Sequence, residues 1–235
     1  MINKPVITKL QWDTDFFNKE IGQIVINNID ELSVVNSSLI DNQYYDLIYI
    51  YSTTEVDLYK AQLIDKKVRL VVNKSDLLTF GNYTHPLITE YSSPFASEQL
   101  LNLVYESGQH SRFLLDNNLG RYYFEKLYQT WIERSIKKEI AQSVYVSIEN
   151  ENITGFVTIG VNNNEMNIGL IATDIEMRGK GIGKSLIYRV FHDFIISDCD
   201  TLSVYTQLNN EVACNFYKKC GFKLENVEFI YHYWK

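Results

Sequence analysis

Residues 167–184 read NIGLIATDIEMRGKGIGK. The first seven suit a buried strand, the middle is a short polar connection, and the glycine-rich end opens a helix. Gly179, Gly181 and Gly183 fall at alternate positions, interleaved and flanked by Arg178, Lys180 and Lys184. A strand feeding such a turn aims several backbone N–H groups at one point, where the following helix adds its positive dipole end. Glycine lets the backbone come close to a bulky anion, and three cations favour a doubly charged group over a single carboxylate. The chemistry that fits is a pyrophosphate cradle.

Spacing decides among phosphate loops. A Walker loop ending in Gly183-Lys184-Ser185 needs its first glycine at position 178, which is Arg178. The dinucleotide fingerprint needs its third glycine one residue later than Gly183. Arg-Gly-x-Gly-Ile-Gly-Lys after a strand fits at every position and resembles the acetyl-CoA motif of the GCN5-related N-acetyltransferase (GNAT) family. A charged surface turn would explain the same residues, but not a second motif downstream. Asn210 to Phe222, NEVACNFYKKCGF, is similar to that family's Asn-x-x-Ala-x-x-Phe-Tyr-x-x-x-Gly-Phe signature. Here Asn210 caps a short helix and Gly221 ends it in a left-handed conformation.

The resemblance implies acetyl-CoA as acyl-donor co-substrate and no metal. It implies that Arg178, Gly179, Lys180, Gly181, Ile182, Gly183 and Lys184 hold the donor's pyrophosphate, with Asn210 and Asn215 at the same site. It also implies that the backbone of Ile171, Ala172 and Thr173 pairs with the pantetheine arm as a strand edge would. The reaction is attack of a neutral amine on a thioester, so no covalent enzyme intermediate is needed. A departing thiolate is better stabilised if it receives a proton, and a phenol, with a reference pKa of about 10 against about 8.5 for a thiol, suits that task. Tyr217 stands where the family commonly places this general acid. Asp174 and Glu176 flank the cradle as solvated turn residues, and His192 reads as a surface or packing residue. No general base is assigned.

Composition bounds the partners. The net charge of −7 offers no basic stripe for nucleic acid, which favours a small acceptor over a polymer. The three cysteines (Cys199, Cys214, Cys220) lack paired metal-ligand spacing and read as free thiols of a reducing compartment. The opening MINKPVITKLQWDTDFF has no long apolar run, so a cytoplasmic protein without membrane contact is expected.

Along the chain, Tyr45–Tyr51 and Val68–Val72 read as strands around a helix at Val56–Ile64, with a further strand at Gly22–Ile26. Thr79–Pro94 reads as a connector. Helices are expected at Glu98–Ser107 and Leu119–Lys137, the second with Tyr123, Leu127, Trp131 and Arg134 along one side. Strands follow at Ser143–Ile148, Gly155–Val161 and Met166–Thr173, then a helix at Ile182–Ile196. A strand at Leu202–Gln207, the Asn210 helix and a final strand at Phe229–Trp234 complete the chain. This order is similar to the GNAT fold: an α/β (α+β) domain over 94–235, its mixed, mostly antiparallel sheet flanked by helices on both sides. Residues 1–93 add a smaller α/β half, similar in order to a truncated copy of that fold. Edge strands near the carboxyl end could pair into a homodimer.

Ser111-Arg112-Phe113, Gly120-Arg121-Tyr122-Tyr123 and Trp131-Ile132 resemble the entrance helices of GNAT members that acetylate a 4-amino-4,6-dideoxygalactose carried on dTDP. Arg112 is the candidate for a phosphate or sugar oxygen, because a guanidinium binds such oxygens bidentately, and a helix-entry salt bridge is its other reading. Trp12, Phe16 and Phe17 read as core. The alternatives are another small amine, a protein amino terminus, or an acyl-CoA-binding domain without turnover.

Overall fold

The computed structural model describes residues 6–77 and 88–235. In chain order the elements are β1 (Thr8–Lys9), α1 (Gln11–Phe17), β2 (Ile21–Ile26), α2 (Leu32–Ile40), β3 (Leu47–Ser52), β4 (Ala61–Asn73), α3 (Lys74–Leu77), β5 (Ile88–Glu90), α4 (Glu98–Ser107), α5 (Arg112–Leu115) and α6 (Gly120–Ile136). Then come β6 (Ser143–Glu149), β7 (Asn152–Asn162), β8 (Glu165–Thr173), α7 (Ile182–Ile196), β9 (Thr201–Gln207), α8 (Glu211–Lys219) and β10 (Lys223–Trp234). They pack into two compact units. One comprises the described residues to Val68 with Gln207–Asn209 and Asn226–Lys235, the other Arg69–Thr206 with Asn210–Glu225.

In the first unit the strands run β1-β2-β3-β10. β2 and β3 are parallel, Ile21 opposite Leu47 through Ile26 opposite Ser52, and β10 is antiparallel to β3. Parallel neighbours need a crossover, and α2 supplies it. Its Val35 and Leu39 pack on Ile24, Ile48, Ile50 and Tyr233, all buried. The strand–helix–strand pattern is therefore present, but its helix lies before β3. The helix expected at Val56–Ile64 does not form. The Val56 amide donates to the Tyr231 hydroxyl at 2.7 Å and the Tyr59 amide to Asn36 Oδ1 at 2.8 Å, and Lys60 has φ 53°. With these groups taken, no i→i−4 ladder can start, and β4 begins at Ala61. In α1 only Phe17 enters the core; Trp12 is 43% exposed and stacks on Phe16 one helical turn away.

In the second unit the order is β9-β8-β7-β6-β5. β5 to β8 form antiparallel pairs, and β8 with β9 is parallel. Asn150 and Glu151 turn the β6–β7 hairpin, and Asn163 and Asn164 turn the β7–β8 hairpin, each pair with positive φ at both positions as a type I′ turn requires. The connector expected over Thr79–Pro94 lies outside the described residues as far as residue 87, and its later part contains β5. α7 buries Leu186, Ile187, Val190, Phe191 and Phe194, a stripe at helical spacing. α6 buries Phe124, Leu127, Tyr128 and Ile132, so the core-facing stripe is centred one residue beyond the expected one. No helix among the described residues is long and apolar enough to cross a membrane.

Candidate acyl-donor site

The second unit has an opening in its sheet. β8 pairs with β9 only from Glu165 opposite Thr201 to Ile168 opposite Val204. From Gly169 to Thr173, β8 is held on its other side by β7, and Ile171, Ala172 and Thr173 are half-exposed. The Asp174 amide donates to the Thr154 carbonyl at 2.9 Å, which fixes the phase of the ladder. Amides of an extended chain face alternate edges, so Ala172 turns its backbone groups to β7, and Ile171 and Thr173 turn theirs to the edge that β9 has left. Of the three backbone contacts expected here, two residues present theirs to the opening.

The cradle follows at the end of that edge. Asp174 Oδ1 accepts from the Glu176 amide at 2.8 Å and caps a single 3-10 turn, Ile175–Met177. Gly179 (φ 80°) and Gly181 (φ 87°) then take the left-handed conformation, and a Cβ on either would meet nothing within 4 Å. Glycine is required by backbone sign, and the space before the loop is open. Gly183 is confined instead: its Cβ would lie 3.3 Å from Phe216 and 3.4 Å from Thr173 Oγ1. No side chain caps α7 at Gly181, so the first-turn amides, with the helix dipole behind them, are left for an anion.

The cradle's cations have partners. Arg178 Nη2 lies 2.7 Å from Glu106 Oε1 of α4, and Lys180 Nζ lies 3.1 Å from Met177 Sδ. Lys184 sits 5.1 Å over the Tyr188 ring, whose hydroxyl raises the ammonium's pKa. The contacts of Glu106 and Tyr188 with the glycine motif were not legible, because each lies outside both motifs and touches the loop only through the fold. A cleft of about 570 Å³ adjoins the loop, lined by Asn102, Glu106, Asn150, Asp174, Glu176 and Lys180 among others.

α8 begins where Asn210 Oδ1 accepts from the Ala213 amide at 3.1 Å, and Asn215 is exposed on the helix. The cap takes up Asn210's side-chain oxygen. Tyr217 is 4% exposed, 5.3 Å from Phe216 and 5.7 Å from Phe222 between ring centroids. Burial raises its phenol well above the ordinary value, and the nearby Cys220 and Cys214 thiols add to the effect. The Cys220 thiol is itself pushed up to about 11 by burial, opposed by the charge of Lys184. All three cysteines are buried, and none is in a disulfide. His192 is exposed, with Nδ1 3.3 Å from Asp193. Arg112 opens α5 behind its Ser111 cap, half-buried, with its guanidinium 4.5 Å over the Phe113 ring.

Splayed parallel strands, a left-handed glycine loop and an uncapped helix meet at one edge of the second unit, and residues 109–222 match the model of the acetyltransferase (GNAT) family. The chain is similar to the spore coat polysaccharide biosynthesis protein SpsD of Bacillus subtilis, 25% identical over 141 residues, 60% of this chain and 48% of that protein. It is similar to N-alpha-acetyltransferase 30 of Xenopus laevis, 31% identical over 65 residues, 28% of this chain and 24% of the relative. The chain thus spans half or less of the length of these relatives. In fold it is like a tandem GNAT protein from the clavulanic acid biosynthesis pathway, with a TM-score of 0.54 at 7% identity over 90% of this chain and 74% of that one.

Proposed function

We propose that the protein is an acetyl-CoA-dependent N-acetyltransferase whose acceptor is the primary amine of a nucleotide-linked amino sugar, such as dTDP-4-amino-4,6-dideoxygalactose. The observation that carries the acyl-donor half is the row of β8 backbone groups facing an unpaired edge and leading directly into the glycine cradle. An extended amide-bearing chain can lie along that edge as an added strand, through Ile171 and Thr173. Its pyrophosphate then falls at the α7 amides between Arg178, Lys180 and Lys184. The family resemblance assigns Asn210 and Asn215 to the same site. Acetyl-CoA, when bound, supplies the activated acyl group. Tyr217 stays protonated throughout the physiological range and can give its proton to a departing thiolate.

The acceptor class is supported by the entrance-helix residues around Arg112 and by a relative named for polysaccharide biosynthesis. A protein amino terminus is the second reading, favoured by the similarity to N-alpha-acetyltransferase 30. Thiol release from acetyl-CoA, followed with a panel of amino sugar nucleotides, polyamines and short peptides, separates them. Turnover on the dTDP-amino sugar above the others is the expected outcome. Turnover on peptides alone would transfer the assignment to amino termini, and acetyl-CoA binding with no turnover on any amine would leave a binding domain.

A further inference from the structure

We propose that Thr158 is a positioning residue for acyl transfer: its hydroxyl, with Gly169 opposite, pins a bulge that decides which β8 backbone groups face the donor. The inference rests on the acyl-CoA reading of the cleft. Below the bulge Ile159 stands opposite Ile168, and above it Val157 stands opposite Ile171. One residue of β7, Thr158, therefore faces two of β8, Gly169 and Leu170. An inserted residue inverts the phase of everything after it. Without the bulge, Ala172 would face the open edge, and Ile171 and Thr173 would turn to β7.

Two contacts at one oxygen hold this arrangement. Thr158 Oγ1 accepts from the Leu170 amide at 2.8 Å, replacing the ladder partner that the bulge removes. A Cβ on Gly169 would lie 2.8 Å from the same oxygen, too close to be accommodated without a shift. Thr158 is 2% exposed, so water cannot readily take the hydroxyl's place. The bulge lies where β9 departs, just before the residues whose backbone groups face the open edge.

The test compares ADP, which engages the cradle alone, with acetyl-CoA, which also engages the β8 edge, by calorimetry. Thr158→Val should leave ADP affinity unchanged and weaken acetyl-CoA about tenfold, the scale of one or two lost backbone hydrogen bonds. Thr158→Ser, which keeps the oxygen, should restore the wild-type ratio. Gly169→Ala should weaken acetyl-CoA in the wild-type background and add nothing in Thr158→Ala, where the obstructing oxygen is gone. Hydrogen exchange at the Leu170 amide, without ligand, should quicken in the valine variant and not in the serine variant. If Thr158→Val fails to fold, the serine and glycine variants carry the comparison. Equal acetyl-CoA affinity in wild type, Thr158→Val and Gly169→Ala overturns the role of Thr158 while leaving the cleft assigned. A wild-type protein that binds neither ADP nor acetyl-CoA overturns the acyl-CoA reading and this inference with it.

Discussion

Burial among rings and thiols holds the Tyr217 phenol in its protonated form, the form that a general acid must have. The pKa of Tyr217 is raised chiefly by burial, so the group stays protonated until pH rises beyond the ordinary phenol value of about 10. A general acid is active in its protonated form, so turnover should show no fall from Tyr217 up to that pH. Any acidic limb belongs to the amine, which reacts only when neutral. Tyr217→Phe should leave acetyl-CoA affinity intact and lower turnover by about two decades or more. A mutant rate equal to wild type would reduce Tyr217 to packing between Phe216 and Phe222. Its position was legible because the Phe-Tyr pair sits at a fixed distance from the Asn210 cap. Thr158 was not, since a threonine in a strand carries no mark of the bulge across from it.

Elements give the cleft its shape, and their ends matter more than their middles. β8 and β9 stay paired at the end where Glu165 meets Arg69 Nη2 at 2.6 Å and the Ser203 hydroxyl, with Glu225 on the guanidinium's other side. Burial alone would raise the Glu165 pKa, but the hydrogen bonds from Ser203 and Arg69 outweigh it and hold it below the usual carboxylate range. A depressed folded-state pKa contributes stability that is complete above the unfolded value of about 4.3 and is lost as pH falls through the folded value. Glu165→Gln should therefore destabilise the protein at pH 7 by about 1 kcal/mol, a modest figure because the pair is partly solvated. The difference from wild type should narrow in acid melts below pH 4; a constant difference across pH would rule out this linkage. At the other end of β8, Gly181→Glu should abolish acetyl-CoA binding, since it adds a side chain and a negative charge at a left-handed position where the pyrophosphate is proposed to bind. Unchanged affinity by calorimetry would remove the cradle assignment. The strands and helices of this region were legible because burial on one face imposes a strict period on each. The Val56–Ile64 segment was not, because Asn36 and Tyr231, which claim its amides, lie 23 and 175 residues away from their partners.

At the scale of the molecule, chain order and packing divide the protein differently. Composition suggests a break near residue 93, whereas β10 passes from the second compact unit into the first at Asn226, and β4 passes the other way at Arg69. No local pattern announces this, because a strand's sequence records its burial and not its neighbour. The two divisions predict different behaviour for the fragment 94–235. If residues 94–235 fold alone, the fragment should be monomeric and melt cooperatively. If packing governs, removing β3 strips the hydrogen-bonded partner from Phe229–Trp234, where Ile230, Tyr231 and Tyr233 are buried at 2%, 3% and 6% exposure in the whole chain. An unpaired strand bearing such residues is an aggregation template. The packing argument is the stronger, since six consecutive β3–β10 pairs and a shared core outweigh a change in composition. The fragment should therefore be insoluble or oligomeric. A fragment that begins at Arg69 and ends at Glu225, so that β9 keeps its β4 neighbour and the orphaned strand is removed, should recover solubility and, with the cleft residues all retained, acetyl-CoA binding. A soluble, cooperative 94–235 fragment would instead make the amino-terminal half an accessory that the acyl-donor domain does not need.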